Sequence, residues 1–397
     1  MKELLYKSNP WWEAEMTAMT AMTTMIEREK YLKILGETLD NKDIVFLTGL
    51  RRVGKTSIMK GFIARLIQQK NINPQYICYI SLDLIALDDT EISQIVDEYR
   101  QIWRLESKQK IYLFFDEVTH KNNYQRALKN LYDLDNVKIY ASSSSASLLR
   151  DNNAFLTGRQ RVLEIMPLDF NEYLQFRKIH IKQADFHLKL SYFEDYMQDG
   201  GMPEYVLTRD LSYLQNLIDS IIHKDIIAMH KIKNIQVVKD FYRLLMERSG
   251  KQLSLNKIAK ILSIGVDTAR RYLSYFEDNY LIYTIEKYGK LNERLKNPKK
   301  IYASDIGLKN IATGFRGKGA IFENLVFLHI KNKSPSYVSS AGIEIDFITK
   351  DKFLIEAKYN SVLNTKQQKL FDKTIANKKI VIDSAEIFLK FFYEDIN

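Results

Sequence analysis

An α/β fold with one parallel sheet, followed by a mainly helical stretch and a second mixed α/β unit, is what this 397-residue sequence predicts. Three observations carry that reading. Short apolar runs alternate with helical stretches up to the residues near 145. The alternation stops after "EIMPLDFNEYLQFRK", and helical periodicity then holds from about 170 to about 280. Strand-like runs return from there to the C-terminal end. Strands alternating with helices at this spacing require crossover connections, and hence parallel pairing.

Each element follows from its residues. "DIVFLTGL" is β-branched and aromatic, ends in glycine, and reads as a buried strand; "QYICYISLDL", "KIYLFFDEV" and "VKIYASSS" read likewise. Between them lie the helical stretches "KTSIMKGFIARLIQQK", "DTEISQIVDEYRQIWRLE" and "YQRALKNLYDL". Ahead of the first strand, the Met/Thr-rich "EMTAMTAMTTMIEREKYLKIL" continues as one amphipathic helix. The helical middle is punctuated by "DGGMPEYV". The last part holds "YLIYTIEKY", "KKIYASD", "SYVSSAGIEIDFITK", "FLIEAKY" and "KKIVIDS" as strands, with "RGKGAIFENLVFLHIKNK" as a helix among them. The expected domains are residues 1–35, 36–175, 176–240, 241–315 and 316–397.

Composition narrows the class. Hydrophobic content of 46% with 27% charge is that of a globular chain. No apolar run is long enough to span a bilayer, and the opening "MKELLYKSNPWWEAEM" has no secretory pattern. The single cysteine, Cys78, has no intramolecular disulfide partner. A cytoplasmic protein with no membrane partner is the expectation. A net charge of +10 and a pI near 9.2 favour polyanionic partners. Residues 251–300 hold eleven Lys or Arg against five Asp or Glu; a solvated basic face explains that surplus as readily as a nucleic acid does.

The first strand runs into G-L-R-R-V-G-K-T, Gly49, Leu50, Arg51, Arg52, Val53, Gly54, Lys55 and Thr56, followed by Ser57. This is the G-x-x-x-x-G-K-[ST] spacing of a P-loop in its required context, after a strand and before a helix. Backbone N–H groups of such a turn face an anion, and the helix adds its N-terminal dipole. Lys55 is expected on the β- and γ-phosphates and the Thr56 hydroxyl on Mg²⁺. Asp116 and Glu117 close the apolar run "YLFFDE". A carboxylate at the end of a buried strand is costly unless a cation faces it. Asp116 is expected near Mg²⁺ and Glu117 as the base for an attacking water. ATP and Mg²⁺ are thus the expected cofactors, and ATP hydrolysis the expected chemistry.

These motifs, with "NPWW", "SSSSASLL", "LTGR", "MPLDFNEYL", "GGMPEYV", "IFENLVFLHI" and "GIEIDF…LIEAKY", resemble the AAA+/STAND-like P-loop ATPases of archaea and bacteria that carry a C-terminal domain of unknown function. The resemblance runs over nearly the whole chain. It implies a P-loop NTPase sheet, a helical lid, a winged helix-turn-helix and a C-terminal mixed α/β domain like the restriction endonucleases. It also implies a γ-phosphate sensor after the last core strand, placed at Ser144; Ser143 stands where the family usually has glycine. Arg159 falls where relatives supply an arginine finger to a neighbouring subunit, which implies a homo-oligomer; the plainer alternative is a local ion pair. Gly201 and Pro203 fall at the lid turn over the nucleotide, or form a simple helix-breaking turn.

Two further patterns bear on partners. "LSLNKIAKILSIGVDTARRYLSYFEDNYLIYTIEKY" has helix-turn-helix spacing about Gly265, with Thr268, Arg270 and Arg271 early on the second helix and a wing-like segment after it. DNA contact and a plain packing module stand as equal readings. In the last part, Glu323 on a helix, Asp346, Glu356 and Lys358 form the D-x(n)-E-x-K pattern of PD-(D/E)xK nucleases, whose carboxylates hold Mg²⁺ while the lysine orients water. Glu344 shares the face of Asp346 by alternation. The expected function is an ATP-hydrolysing protein acting on or recruited to DNA, with a C-terminal nuclease site. The alternative is a STAND-type switch or scaffold whose C-terminal domains make contacts and cut nothing.

Overall fold

The computed structural model describes residues 1–13, 26–146, 156–182 and 185–394. The chain divides into two compact units, Met1–Met166 and Pro167–Asn397. The boundaries expected at 240 and 315 both lie inside the second unit. Most of the Met/Thr-rich run and the end of "SSSSASLL" lie outside the described residues.

The first unit is built on five strands: β1 (Ile44–Thr48), β2 (Ile77–Ser81), β3 (Ile111–Asp116), β4 (Val137–Ser143) and β5 (Gln160–Glu164). All are parallel, in the order β2-β3-β4-β1-β5. β1 and β4 are buried at every position, as strands covered on both faces are. β4 lies between β1 and β3, so its polar end is delivered between the loop after β1 and the carboxylates after β3. β5 was not expected. Its sequence "QRVLE" is mostly polar and half-buried, as suits an edge strand, and lacks the continuous apolar run that marks a strand buried on both faces.

The opposite edge, β2, is covered by the N-terminal residues. The Asn9 side chain accepts from Tyr79 N at 2.6 Å and donates to Tyr79 O at 2.9 Å, as a neighbouring strand would. Trp12 Nε1 donates to Ile77 O at 2.9 Å. Exposed edge N–H and C=O groups invite pairing with other chains, so "NPWW" closes this edge.

The second unit begins with helices from Phe170–Phe176 to Val266–Asp278. An antiparallel pair follows, β6 (Ile282–Ile285) and β7 (Lys300–Ala303). The helices Ile306–Thr313 and Lys318–Ile330 lead to a sheet of β8 (Ser336–Ser340), β9 (Ile343–Ile348), β10 (Phe353–Ala357) and β11 (Lys378–Ile382), ordered β11-β10-β9-β8. The run "SYVSSAGIEIDFITK" is a hairpin rather than one strand, turning at Ala341 and Gly342, both with positive φ. Among the described residues, no helix is long and apolar enough to cross a membrane.

Candidate functional site

The loop after β1 is shaped by close approach. A Cβ on Gly49 would lie 2.3 Å from the Ile165 carbonyl oxygen, so any side chain there is excluded. Leu50 and Val53 are buried and pin the loop, and Arg28 Nη1 donates to Val53 O at 3.0 Å. Arg51 is half-buried and Arg52 exposed, the latter with φ 65°. Gly54, with φ 97°, precedes the helix Lys55–Gln68, whose first turn carries Thr56 and the exposed Ser57. Lys55 is buried; its Nζ donates to Gly49 O at 2.9 Å and Leu50 O at 3.1 Å.

Asp116, at the end of β3, is buried and met by three hydroxyls. Thr56 Oγ1 donates to Oδ2 at 2.6 Å, Tyr79 OH donates to Oδ2 at 2.9 Å, and Ser142 Oγ donates to Oδ1. Burial, and then the adjacent Asp116 charge, push the Tyr79 phenol far above its ordinary range, so it stays a donor. Glu117, the residue after β3, has φ 50°, in the left-handed region. Its N–H donates to Ser142 Oγ at 2.9 Å and its Oε1 accepts from Ser144 Oγ at 2.7 Å. Ser143 pairs with Thr119 at 3.2 Å. The donors on Asp116 are neutral, so its negative charge is left for a cation. A hydroxyl and a carboxylate converging at the start of a helix fit Mg²⁺ bound to a phosphate.

Other expected residues have partners within their own units. Arg159 Nε donates to Asp133 Oδ1 at 3.2 Å, and its guanidinium lies over Tyr132. Gly201 N donates to the buried Asp305 Oδ2 at 2.7 Å, and a Cβ on Gly201 would lie 2.2 Å from Leu168 O. Pro203 opens the helix Pro203–Thr208. These contacts hold the turn within the second unit. On Val266–Asp278, Arg270 and Arg271 are exposed; Arg270 pairs with Asp267 at 2.8 Å, and Arg271 donates to the half-buried Thr268 at 3.3 Å.

The second unit does bring Glu323, Asp346, Glu356 and Lys358 together. β9 and β10 pair as far as Ile355 and Phe347. Beyond that point the side chains take over: Asp346 N donates to Glu356 Oε2 at 2.9 Å, and Ala357 N to Asp346 Oδ2 at 3.1 Å. Lys358 Nζ lies 2.9 Å from Glu356 Oε1, and Gln367 Nε2 reaches the same oxygen at 3.4 Å. Burial, followed by the charge of Asp346, pushes Glu323 up to about 8 and Glu356 up to about 7.

The centre of this cluster is Lys300, from β7. Its side chain is 1% exposed, and Nζ lies 2.8 Å from Glu323, 2.5 Å from Glu344 and 2.9 Å from Asp346. Of the two carboxylates expected on Mg²⁺, Asp346 is thus held by the Lys300 ammonium, while Glu356 pairs with Lys358. Among the described residues no group of three or more His, Cys, Asp or Glu is arranged to hold a metal ion. The residues do not fit the metal in this arrangement.

Sequence reasoning missed Tyr79, Ser142, Gln367 and Lys300. Tyr79 reads simply as a strand former, and Lys300 was counted in the basic surplus of residues 251–300. A lysine entering the apolar run "IYAS" was the available signal, since a buried ammonium requires carboxylate partners.

Comparison with known proteins agrees with the first unit's geometry. Residues 41–174 match the AAA domain family, and residues 190–319 match a domain of unknown function, DUF8612. The first part of the chain, which holds the P-loop and the parallel sheet, is thus similar to AAA domains. The uncharacterized protein MJ1544 of Methanocaldococcus jannaschii is 29% identical over 408 residues, covering 93% of this chain and 90% of that protein. An uncharacterized protein of Haemophilus influenzae is 27% identical over 344 residues, covering 82% of this chain and 84% of that one. Among solved structures, the Walker-type ATPase PABY2304 of Pyrococcus abyssi overlays loosely, with a TM-score of 0.43 at 15% identity over 72% of this chain and 96% of that chain.

Proposed function

We propose that the chain is a Mg²⁺-dependent ATP hydrolase whose nucleotide cycle is coupled to DNA. The observation that carries the hydrolytic part is the 2.6 Å hydrogen bond from Thr56 to Asp116, with Glu117 directly following. Thr56 and Asp116 would hold Mg²⁺, which when bound draws charge from the phosphate oxygens. Lys55 Nζ donates to the neutral carbonyls of Gly49 and Leu50, and an anionic phosphate outcompetes such acceptors. Glu117 takes the proton of the attacking water, aimed by the Ser144 hydroxyl. A γ-phosphate competing for that same hydroxyl gives Ser144 its sensing role.

Phosphate release measured against Mg²⁺ concentration tests this. Wild type should need Mg²⁺, Lys55→Ala should lose nucleotide binding, and Glu117→Gln should bind ATP without turning it over. Turnover by Glu117→Gln at the wild-type rate would sink the assignment.

The DNA part is supported by the exposed Arg270 and Arg271 on a helix that precedes the β6–β7 pair, the order of a winged helix-turn-helix. Arg270→Ala should weaken DNA binding and lower its salt slope by about 1; an unchanged slope removes this helix from the interface. Homo-oligomerisation with Arg159 acting on a neighbour requires that Arg159 leave Asp133. A turnover rate per chain that does not rise with protein concentration contradicts it. A second reading, a nucleotide switch whose C-terminal sheet cuts nothing, is favoured by the ammonium of Lys300 among the nuclease-like carboxylates.

A further inference from the structure

The carboxylate cluster has the residues of a metal-dependent phosphodiesterase site, yet a different cation stands in it. We infer that Lys300 is a built-in cation that takes the place of a divalent metal and keeps the cluster closed to Mg²⁺ and Mn²⁺. An ammonium has three N–H donors and no acceptor. Here three carboxylates surround it, from Glu323 on the helix Lys318–Ile330 and from Glu344 and Asp346 on β9. Its hydrogen-bonding capacity matches that set.

Lys300 is also held in place. Asn324, the residue after Glu323, clasps β7 through Asn324 Nδ2 to Ala303 O at 2.9 Å and Ala303 N to Asn324 Oδ1 at 2.8 Å. The helix bearing Glu323 and the strand bearing Lys300 are therefore fixed to each other. Further hydrogen bonds hold these carboxylates in place. Glu344 Oε2 accepts from Gln252 at 2.7 Å, Glu323 Oε1 accepts from Tyr302 OH at 2.8 Å, and Asp346 and Glu356 each take the other strand's backbone N–H.

Mg²⁺ demands near-octahedral oxygen ligands at about 2.0–2.1 Å and would stand against the Lys300 charge on the same oxygens. The ammonium comes from the segment matching DUF8612, whereas Asp346 and Glu356 lie beyond it. The closure is thus made by two parts of the chain far apart in sequence. This inference deepens the non-cleaving reading of the second unit and uses nothing of the ATP site. It is read by metal binding, whereas the non-cleaving reading itself is read by intact DNA.

The test titrates Mn²⁺ into the full chain without nucleotide and follows free Mn²⁺ by its EPR signal. Wild type and Asp346→Asn should bind equally. Lys300→Met should gain a site tighter than any in wild type by about tenfold or more, lost again when Asp346→Asn is added, while Lys300→Arg stays closed. Mn²⁺ binding by wild type that falls in Asp346→Asn overturns the inference. So does a folded Lys300→Met that binds no more than wild type. Should circular dichroism show Lys300→Met unfolded, the comparison of wild type with Asp346→Asn decides alone, equal binding supporting the inference and a loss overturning it.

Discussion

Asp116 and Asp346 are both buried carboxylates on strands of a sheet, and their partners give them opposite fates. Hydroxyls of Thr56, Tyr79 and Ser142 hold Asp116; they orient it and leave its charge unspent. The ammonium of Lys300 holds Asp346 and spends that charge inside the fold. A carboxylate motif therefore states what a site is made of, and the charge of its hydrogen-bond donors states whether a metal can use it. Neutral donors prepare a cation site, whereas a cationic donor replaces one.

Breaking the two sites should separate them by size of effect. Glu117→Gln is expected to cut ATP turnover by about 10²–10⁴-fold, seen in phosphate release, while leaving the urea midpoint of the chain in place. Lys300→Met is expected to leave ATP turnover unchanged and to lower unfolding free energy by about 3–5 kcal/mol, because it strands buried carboxylates; chemical denaturation measures this. Asn9→Ala should cost about 1–2 kcal/mol in the same assay, since it leaves Tyr79 N and O at the β2 edge without their side-chain partner. A loss of soluble protein at high concentration should accompany it.

The smallest expected effect is on pH dependence. Glu323, facing Lys300, Tyr302, Asp346 and Glu344, is pushed from its ordinary 4.5 up to about 8 by burial and then by Asp346. Between those values the folded chain holds more protons than the unfolded one, so stability falls as pH rises and levels off above them. Glu356 acts with the same sign up to about 7. Glu323→Gln should flatten the slope of the denaturation midpoint across this window. An unchanged slope would place Glu323 in its ordinary range.

How far the sequence could be read followed the range over which each signal acts. The P-loop and the pair Asp116–Glu117 are local: eight residues in a row and the end of one apolar strand give spacing and context together. The strands β1 to β4 were legible because full burial writes apolar runs. β5 was not, since an edge strand with Gln160, Arg161 and Glu164 carries no such run. Alternation placed Glu344 beside Asp346, and both reach Lys300. Lys300 itself was illegible, because its partners lie between 23 and 46 positions away and a tally of charge counts every lysine as surface. Asn9 is a similar case, a loop residue whose work is done 70 positions along the chain.

The most direct measurement counts Mn²⁺ held per chain in the presence of a non-hydrolysable ATP analogue. One equivalent is expected, lost in Asp116→Asn and in Thr56→Ala and untouched by Asp346→Asn. A second equivalent that disappears in Asp346→Asn, or a first that survives Asp116→Asn, would contradict the distinction drawn between the two sites.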